Sequence, residues 1–312
     1  MGDKRVVWIF TGSRSERGLL NPIIKRCEAS PLLDTHVVEV NPRYSLSGIT
    51  QSVEEKIIGE GMPDIVLIPT DRREMVPVAM TCFFAKIPTV HYLGGVFSYS
   101  ATFDDVSRHV ISLFSHVICV ESEAAKRILV KSGEEPWRII VTGTSHFDDL
   151  EIDTSLCPGE PYDLVLMNPT TIYSETLKTV FGRRIVVVGP NEDYASFDEA
   201  KLIDGVNVKV TLHPNVERPR FLGLLKNCRR FVSNSSATLY EAPYFGVEVV
   251  NPSIRNSERT SPDQKLLEGG SDKVVKLLCE LDLKDPRLLA KRVRSPEWEK
   301  SIRLQKSVSG QQ

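Results

Sequence analysis

Arg5–Leu20 reads RVVWIFTGSRSERGLL. A short β-rich apolar run, Arg5–Phe10, breaks at a polar, glycine-containing loop, Thr11–Gly18, and a helical pattern opens at Leu19 and Leu20. Strand, loop and helix in that order predict the first βα unit of an open α/β sheet, and ligands collect at the carboxyl ends of such strands. The same alternation recurs outward from this unit. Apolar runs at Thr35–Val40, Asp64–Pro69, Thr89–Leu93, Val117–Val120 and Ile139–Val141 predict further strands, with helical patterns at Val53–Gly59, Met75–Ala85 and Ser122–Ser132 between them. Short apolar strands alternating with helices predict a doubly wound parallel sheet. Cys157-Pro158-Gly159-Glu160-Pro161 then reads as a linker. A second series follows, with strands at Leu164–Met167, Ile185–Val188, Val208–Leu212, Arg230–Val232 and a buried one at Val247–Val250. The expected fold class is α/β, with two Rossmann-like domains of parallel sheets facing a cleft. The first domain is expected over residues 1–158 and the second over 159–285.

Composition narrows the function classes. The 312 residues carry 39 Lys plus Arg against 41 Asp plus Glu, which gives no electrostatic footprint for nucleic acid or an anionic membrane. No apolar run approaches the ~18 residues that span a bilayer. The N-terminal MGDKRVVWIF lacks the long apolar region and cleavage site of a secretory leader and reads as strand one. The six cysteines form no C-x-x-C pair, and the histidines show no ligand spacing, so neither a disulfide frame nor a metal is expected. A reduced, cytoplasmic protein fits these features.

Candidate site residues cluster at predicted strand ends. Asp71 directly follows a buried strand, where an acid serves either as a helix N-cap or as a site residue. Glu74 stands in the first turn of the next helix, near its dipole. Asp105 and Arg108 are three apart and share a helix face. His91 lies in a β run and His109 on a helix, where each also reads as a core or structural histidine. Gly94 and Gly95 allow close backbone approach or positive φ. In Ser233–Arg259, SNSSATLYEAPYFGVEVVNPSIRNSER, hydroxyl and amide residues precede an apolar run carrying Glu241, and Arg255, Glu258 and Arg259 close it. A loop, helix N-terminus and helix in this order can hold a diphosphate on backbone N–H groups and clamp it with arginine; an ordinary N-capped helix is the plain alternative.

Together these stretches resemble the UDP-N-acetylglucosamine 2-epimerase family, and most closely its hydrolysing branch. Thr11–Pro22 (TGSRSERGLLNP) is similar to the family's G-T-R-x-x-x-G-L-L-x-P, and Thr70–Glu74 (TDRRE) to G-D-R-x-E. Phe103–His116 (FDDVSRHVISLFSH) resembles I-D-E-x-x-R-H-A-I-T-K-x-S-H. SNSSATLYEAP with NPSIRNSER resembles G-N-S-S-x-G-x-x-E-A-P and N-I-G-x-R-Q-x-x-R. The resemblance implies a fold like that of B-type glycosyltransferases (GT-B-like), with a C-terminal helix, here 286–312, crossing back to the first domain. It implies a UDP-sugar substrate, no cofactor, and a homodimer. It further implies that Arg14 contacts diphosphate or sugar, that Ser235 and Ser236 cradle the diphosphate, that Glu241 holds the ribose hydroxyls and that Arg259 lies near the phosphates. His213 takes a phosphate- or sugar-side place. Asp71, Asp105 and Arg108 sit at the sugar, with Asp71, Asp105 and Glu74 as the acid–base candidates. The family chemistry removes the C2 proton as UDP departs, giving a glycal, and water then adds from the other face.

The chain departs from the family pattern at two proton-handling positions. Leu93 stands where the family's strand before Gly-Gly carries an acid or histidine, and Asn168 replaces the histidine of H-P-x-T. Leucine cannot transfer a proton, and asparagine cannot do so at neutral pH. Three readings follow: a divergent hydrolysing epimerase, a glycosyltransferase or other UDP-sugar enzyme of the same fold, and a UDP-sugar-binding protein without turnover.

Overall fold

The computed structural model describes residues 4–98, 103–168, 184–189, 208–253, 255–256, 259 and 267–293, the side chains of Arg14 and Ser15 excepted. Two parallel sheets organise them. β1 (Arg5–Thr11), β2 (Leu33–Glu39), β3 (Ile65–Pro69), β4 (Thr89–Tyr92), β5 (Val117–Val120) and β6 (Ile139–Val141) form a sheet of order β2-β1-β3-β4-β5-β6. β7 (Asp163–Leu166), β8 (Arg184–Val188), β9 (Lys209–His213), β10 (Arg230–Ser233) and β11 (Glu248–Val250) form a second, of order β11-β10-β7-β8-β9. Inner strands such as β1 and β3 are nearly continuous apolar runs because both faces are covered, whereas the edge strands β2, β9 and β11 carry exposed polar residues. In β1, Val7 and Ile9 enter one core while Trp8 and Phe10 enter the other. α1 (Arg14–Ala29) lines the first core; α2 (Leu46–Glu60) and α3 (Met75–Phe84) line the second.

Strand order locates the crevices. In the first sheet the chain runs one way from β1 to β2, then resumes at β3 on the other side of β1 and continues outward. The reversal lies between β1 and β3, at Gly12–Ser13 and Thr70–Asp71. In the second sheet it lies between β7 and β10, at Asn168 and Ser233–Asn234. Such reversals open a crevice at the carboxyl ends of the strands.

The first crest is held by buried polar groups. Ser13 caps α1, its hydroxyl accepting from the Glu16 N–H at 3.3 Å. The Glu16 carboxylate reaches back beyond the cap and accepts from Gly12 N–H at 2.9 Å and from the Thr70 hydroxyl at 2.6 Å. Thr70 has φ +46°, a left-handed conformation that a β-branched residue rarely adopts. Its carbonyl accepts from His91 Nε2 at 2.7 Å, and its N–H donates to the Tyr92 carbonyl at 2.8 Å. The strained turn is thus fixed from three sides. Leu93 (φ +65°) and Gly95 (φ +78°) make the corresponding turn after β4, and a side chain at Gly94 would strike Ile118. These two glycines serve packing and turn geometry.

The C-terminal stretch returns to the first sheet earlier than the 286 expected from sequence. Val274 and Leu278 of α8 (Gly270–Glu280) join the core of Leu20, Ile23 and Cys27 from α1. Arg5 Nη2 donates to the Leu281 carbonyl at 3.0 Å. An amphipathic helix records which of its faces is buried, not which domain receives it, so its sequence cannot assign the side. α9 (Pro286–Leu289) is a single turn, and the rest of the expected helix, beyond residue 293, lies outside the described residues. Arg138, fully buried, donates to the Leu288 carbonyl at 2.8 Å, and Lys291 pairs with Glu134 at 2.9 Å.

Burial, the largest influence, lifts the Glu16 pKa from an ordinary 4.5 to about 7, against the Thr70 hydrogen bond and the Arg72 charge. The folded chain therefore holds this proton more tightly than the unfolded chain. The contribution to stability is fully present below pH 4.5 and is lost as pH rises through about 7. Relative to wild type, Glu16→Gln is expected to gain roughly 3 kcal/mol between pH 5 and pH 8, from urea unfolding at each pH. A pH-independent difference between the two proteins would refute the assignment.

Candidate functional site

Asp71 is the centre of the first crest. Arg108 of α4 (Asp104–Leu113), itself buried, donates through Nη2 to Asp71 Oδ2 and through Nη1 to the Val96 carbonyl at 2.6 Å. Burial pushes the Asp71 carboxyl up, but the Arg108 guanidinium, then Arg259 and Arg255, pulls it further down, and the net value falls below the ordinary range. Asp71 is therefore ionised at neutral pH. Asp105 accepts from the Ser98 N–H at 2.6 Å and hydroxyl at 2.7 Å, which fixes the loop after β4. Glu74 is buried, paired with Arg72, and packed so closely on Gly12 that a side chain there would collide with its carboxylate. The Arg14 side chain lies outside the described residues. His91 has partners for both ring nitrogens. Nε2–H donates to the Thr70 carbonyl, so Nδ1 accepts from the Ser112 hydroxyl at 2.8 Å. Burial lowers its pKa to about 3, and it serves as a neutral strut.

The second crest is built differently from its sequence expectation. Ser235 caps a 3-10 turn, Ser236–Thr238, and the following α7 (Glu241–Tyr244) is one turn long. Pro243 supplies no N–H, and Gly246 (φ +68°) ends the segment, so no long helix points its N-terminus into the cleft. β11 is likewise a partly exposed edge strand, not a buried one. The backbone N–H and C=O of Asn168 pair with the Asn234 amide at 2.8 and 2.9 Å. His213 ends β9, the far edge, two strands from this reversal. Glu241 is buried and accepts from Arg218 Nη1 at 2.7 Å. Burial raises its carboxyl, and the Arg218 charge, then His146, lowers it further, leaving it below the ordinary range.

Loops from the two units meet over the cleft. Asn256 N–H donates to the Ser98 carbonyl at 2.9 Å and its amide to the Asn234 carbonyl at 2.9 Å. Arg255 approaches Asp104 at 3.4 Å. Arg259 reaches the Tyr240 hydroxyl at 2.6 Å, and His146 stacks on the Tyr240 ring at 4.4 Å. The Nε atoms of Arg108 and Arg259 are buried without a hydrogen-bond partner among the described residues. Buried donors left unpaired are destabilising, and an anion with several acceptor oxygens is the ligand chemistry that would satisfy them. Among the described residues no three His, Cys, Asp or Glu side chains could hold a metal ion.

The structure thus brings Asp71, Arg108 and Arg259 together, while Asp105 bonds the Ser98 loop, Glu74 pairs with Arg72, Glu241 opens the short helix after β10 and His213 ends the edge strand β9. Sequence reasoning passed over Glu16, Glu121, Arg218 and Tyr240. Glu16 was visible in the Ser13-x-x-Glu16 capping signal. The others become site residues only once the two sheets are docked.

A family model described as UDP-N-acetylglucosamine 2-epimerase matches residues 6–292. The UDP-N,N'-diacetylbacillosamine 2-epimerase (hydrolyzing) of Legionella pneumophila is 26% identical, over 83% of this chain and 84% of that protein. The UDP-N-acetylglucosamine 2-epimerase of Neisseria meningitidis is 27% identical over 82% and 81%. The solved Neisseria meningitidis UDP-GlcNAc 2-epimerase bound to UDP-GlcNAc superposes with a TM-score of 0.66 at 16% identity, covering 94% of this chain and 95% of that one, which shows the shared GT-B-like fold. With the family model spanning nearly the whole sequence, this chain belongs to the UDP-N-acetylglucosamine 2-epimerase family.

Proposed function

We propose that the protein is a hydrolysing 2-epimerase that converts UDP-N-acetylglucosamine and water to N-acetylmannosamine and UDP. The carrying observation is the ionised Asp71 at the first switch point, bound to Arg108 and under the charge of Arg259 from the second unit. In this reading the C2–H bond breaks and its electron pair forms the C1=C2 double bond of a glycal. The C1–O bond electrons leave with the β-phosphate, and water then adds across the double bond. Asp71 accepts the proton or orients the group that does, with Asp105 and Glu74 supporting it. Ser235, Ser236, Arg14 and Arg259 face the diphosphate and sugar, and Glu241, steadied by Arg218, faces the ribose. His213 takes the sugar or phosphate side. The first domain comprises residues 1–158 with the segment from Gly270 onward docked on it, and the second domain lies between them. The protein works in the cytoplasm without a cofactor.

One observation favours a second reading, a UDP-sugar binder without turnover. The Leu93 side chain lies in the apolar core with Leu19 and Val90, so β4 offers the cleft no proton-transfer group at that position. Incubation with UDP-N-acetylglucosamine in heavy water, followed by NMR, separates the two. Free N-acetylmannosamine deuterated at C2 is expected; binding of UDP without its release from the sugar nucleotide would reject the enzyme in favour of the binder. UDP-N,N'-diacetylbacillosamine, named for the Legionella relative, is the second substrate for the same assay. Asp71→Asn is expected to lower turnover by roughly 100-fold or more with UDP affinity little changed, and unchanged turnover would remove Asp71 from the mechanism.

The proposal extends to a homodimer through the α3/α4 face. Phe84, Val106 and Leu113 there are 70%, 67% and 44% exposed, an apolar grouping that suits burial against a second copy. Sedimentation of Val106→Glu is expected to give a monomer; identical mass for wild type and variant would count against this face.

A further inference from the structure

Glu121 follows β5 directly and is buried, yet none of the roles above uses it. Its partner comes from the other unit: the Tyr240 hydroxyl donates to Glu121 Oε2. The same hydroxyl oxygen accepts from Arg259 Nη2 at 2.6 Å, and Arg259 also lies 3.9 Å from Glu121 Oε2 and 5.0 Å from the centre of the Tyr240 ring. A carboxylate of the first unit is thus joined to a guanidinium of the second through one phenol that donates to the acid and accepts from the arginine. The arginine's Nε is left without a partner, and its charge reaches Asp71 as well as Glu121.

We propose that Glu121, acting through Tyr240, is a positioning residue that orients Arg259 toward the diphosphate, so that this cation is aimed only when the two units are closed on each other. The inference rests on the reading of the cleft as a UDP-sugar site. Two features support it. Burial above all raises the Tyr240 pKa, so the phenol keeps its proton and donates it to Glu121. His146 stacks on the Tyr240 ring at 4.4 Å with 2° between the planes, which fixes the direction in which the hydroxyl points. An arginine held by a directed acceptor loses less freedom on binding phosphate oxygens than a free one. Charge stabilisation of a departing diphosphate depends on that aim, because donors must be oriented before the charge develops.

Tyr240→Phe removes the hydroxyl and keeps the ring with its stacking; Glu121→Gln keeps an acceptor oxygen and removes the charge. Calorimetric titration with UDP and with uridine reads the diphosphate contribution apart from the nucleoside. Each variant is expected to reduce the preference for UDP over uridine roughly tenfold with uridine affinity unchanged, the same pattern expected of Arg259→Ala. The double variant is expected to lose no more than either single one, because the two residues act along one path. A preference within twofold of wild type in both single variants, or losses that multiply in the double variant, would overturn the positioning role. A loss of uridine affinity matching that of UDP would overturn it too, since that outcome marks general damage to the fold. Failure of the wild-type protein to bind UDP would instead sink the UDP-sugar reading, and the inference with it.

Discussion

The ion pair between Asp71 and Arg108 joins a strand end to a neighbouring helix at the point where the first sheet reverses direction. Burying either charge alone in that place would be costly, because removing an ion from water is expensive unless a counter-charge and hydrogen bonds replace the solvent. The surroundings supply both. Arg108 spends its other terminal nitrogen on the Val96 carbonyl, and Thr70, immediately before Asp71, is gripped through its hydroxyl and carbonyl by Glu16 and His91. The site is therefore an extension of the hydrogen bonding that ends the strands. Its acids are placed by backbone geometry before any ligand arrives.

Much of the fold was legible locally. Runs such as Val7–Phe10 and Ile65–Ile68 are apolar on both faces, which only a sheet covered on both sides requires, and the alternation with helices gave parallel strands. Strand order was not legible. Nothing within β3 says that it pairs with β1 and not β2, so the switch point, and hence the special status of Thr70–Asp71, emerges only from long-range pairing. Ser236–Phe245 shows the opposite failure. Its composition suits a capped helix, yet the chain makes a 3-10 turn and one helical turn: Pro243 supplies no N–H to a longer helix, and Tyr240 and Glu241 bond to Glu121 and Arg218 instead. Tertiary partners overrode propensity there.

The candidate site divides in the same way. Asp71 stood out as an acid at a strand end, Arg108 as a charge sharing a helix face with Asp105, and Arg259 as a charge in a polar loop. Glu121 and Tyr240 did not, since an acid after a strand and a tyrosine in an apolar run are common. Their significance is mutual and crosses about 120 residues of sequence. Leu93 illustrates the limit from the other side. A leucine has no proton to move, and the structure adds that its side chain lies in the core under α1 and α8.

The early return of the chain has a mechanical consequence. Where the chain returns, two stretches are laced together: Gly270 N–H meets the Thr144 carbonyl at 3.2 Å and the Thr144 hydroxyl meets the Leu267 carbonyl at 3.3 Å. A body tethered by one strand can swing and twist in any direction. Two stitched strands behave like paired pins in a door: they resist twist and leave a swing about a single line. A swing about that line is the motion such a paired crossing resists least, and it would part the Asn256 N–H from the Ser98 carbonyl.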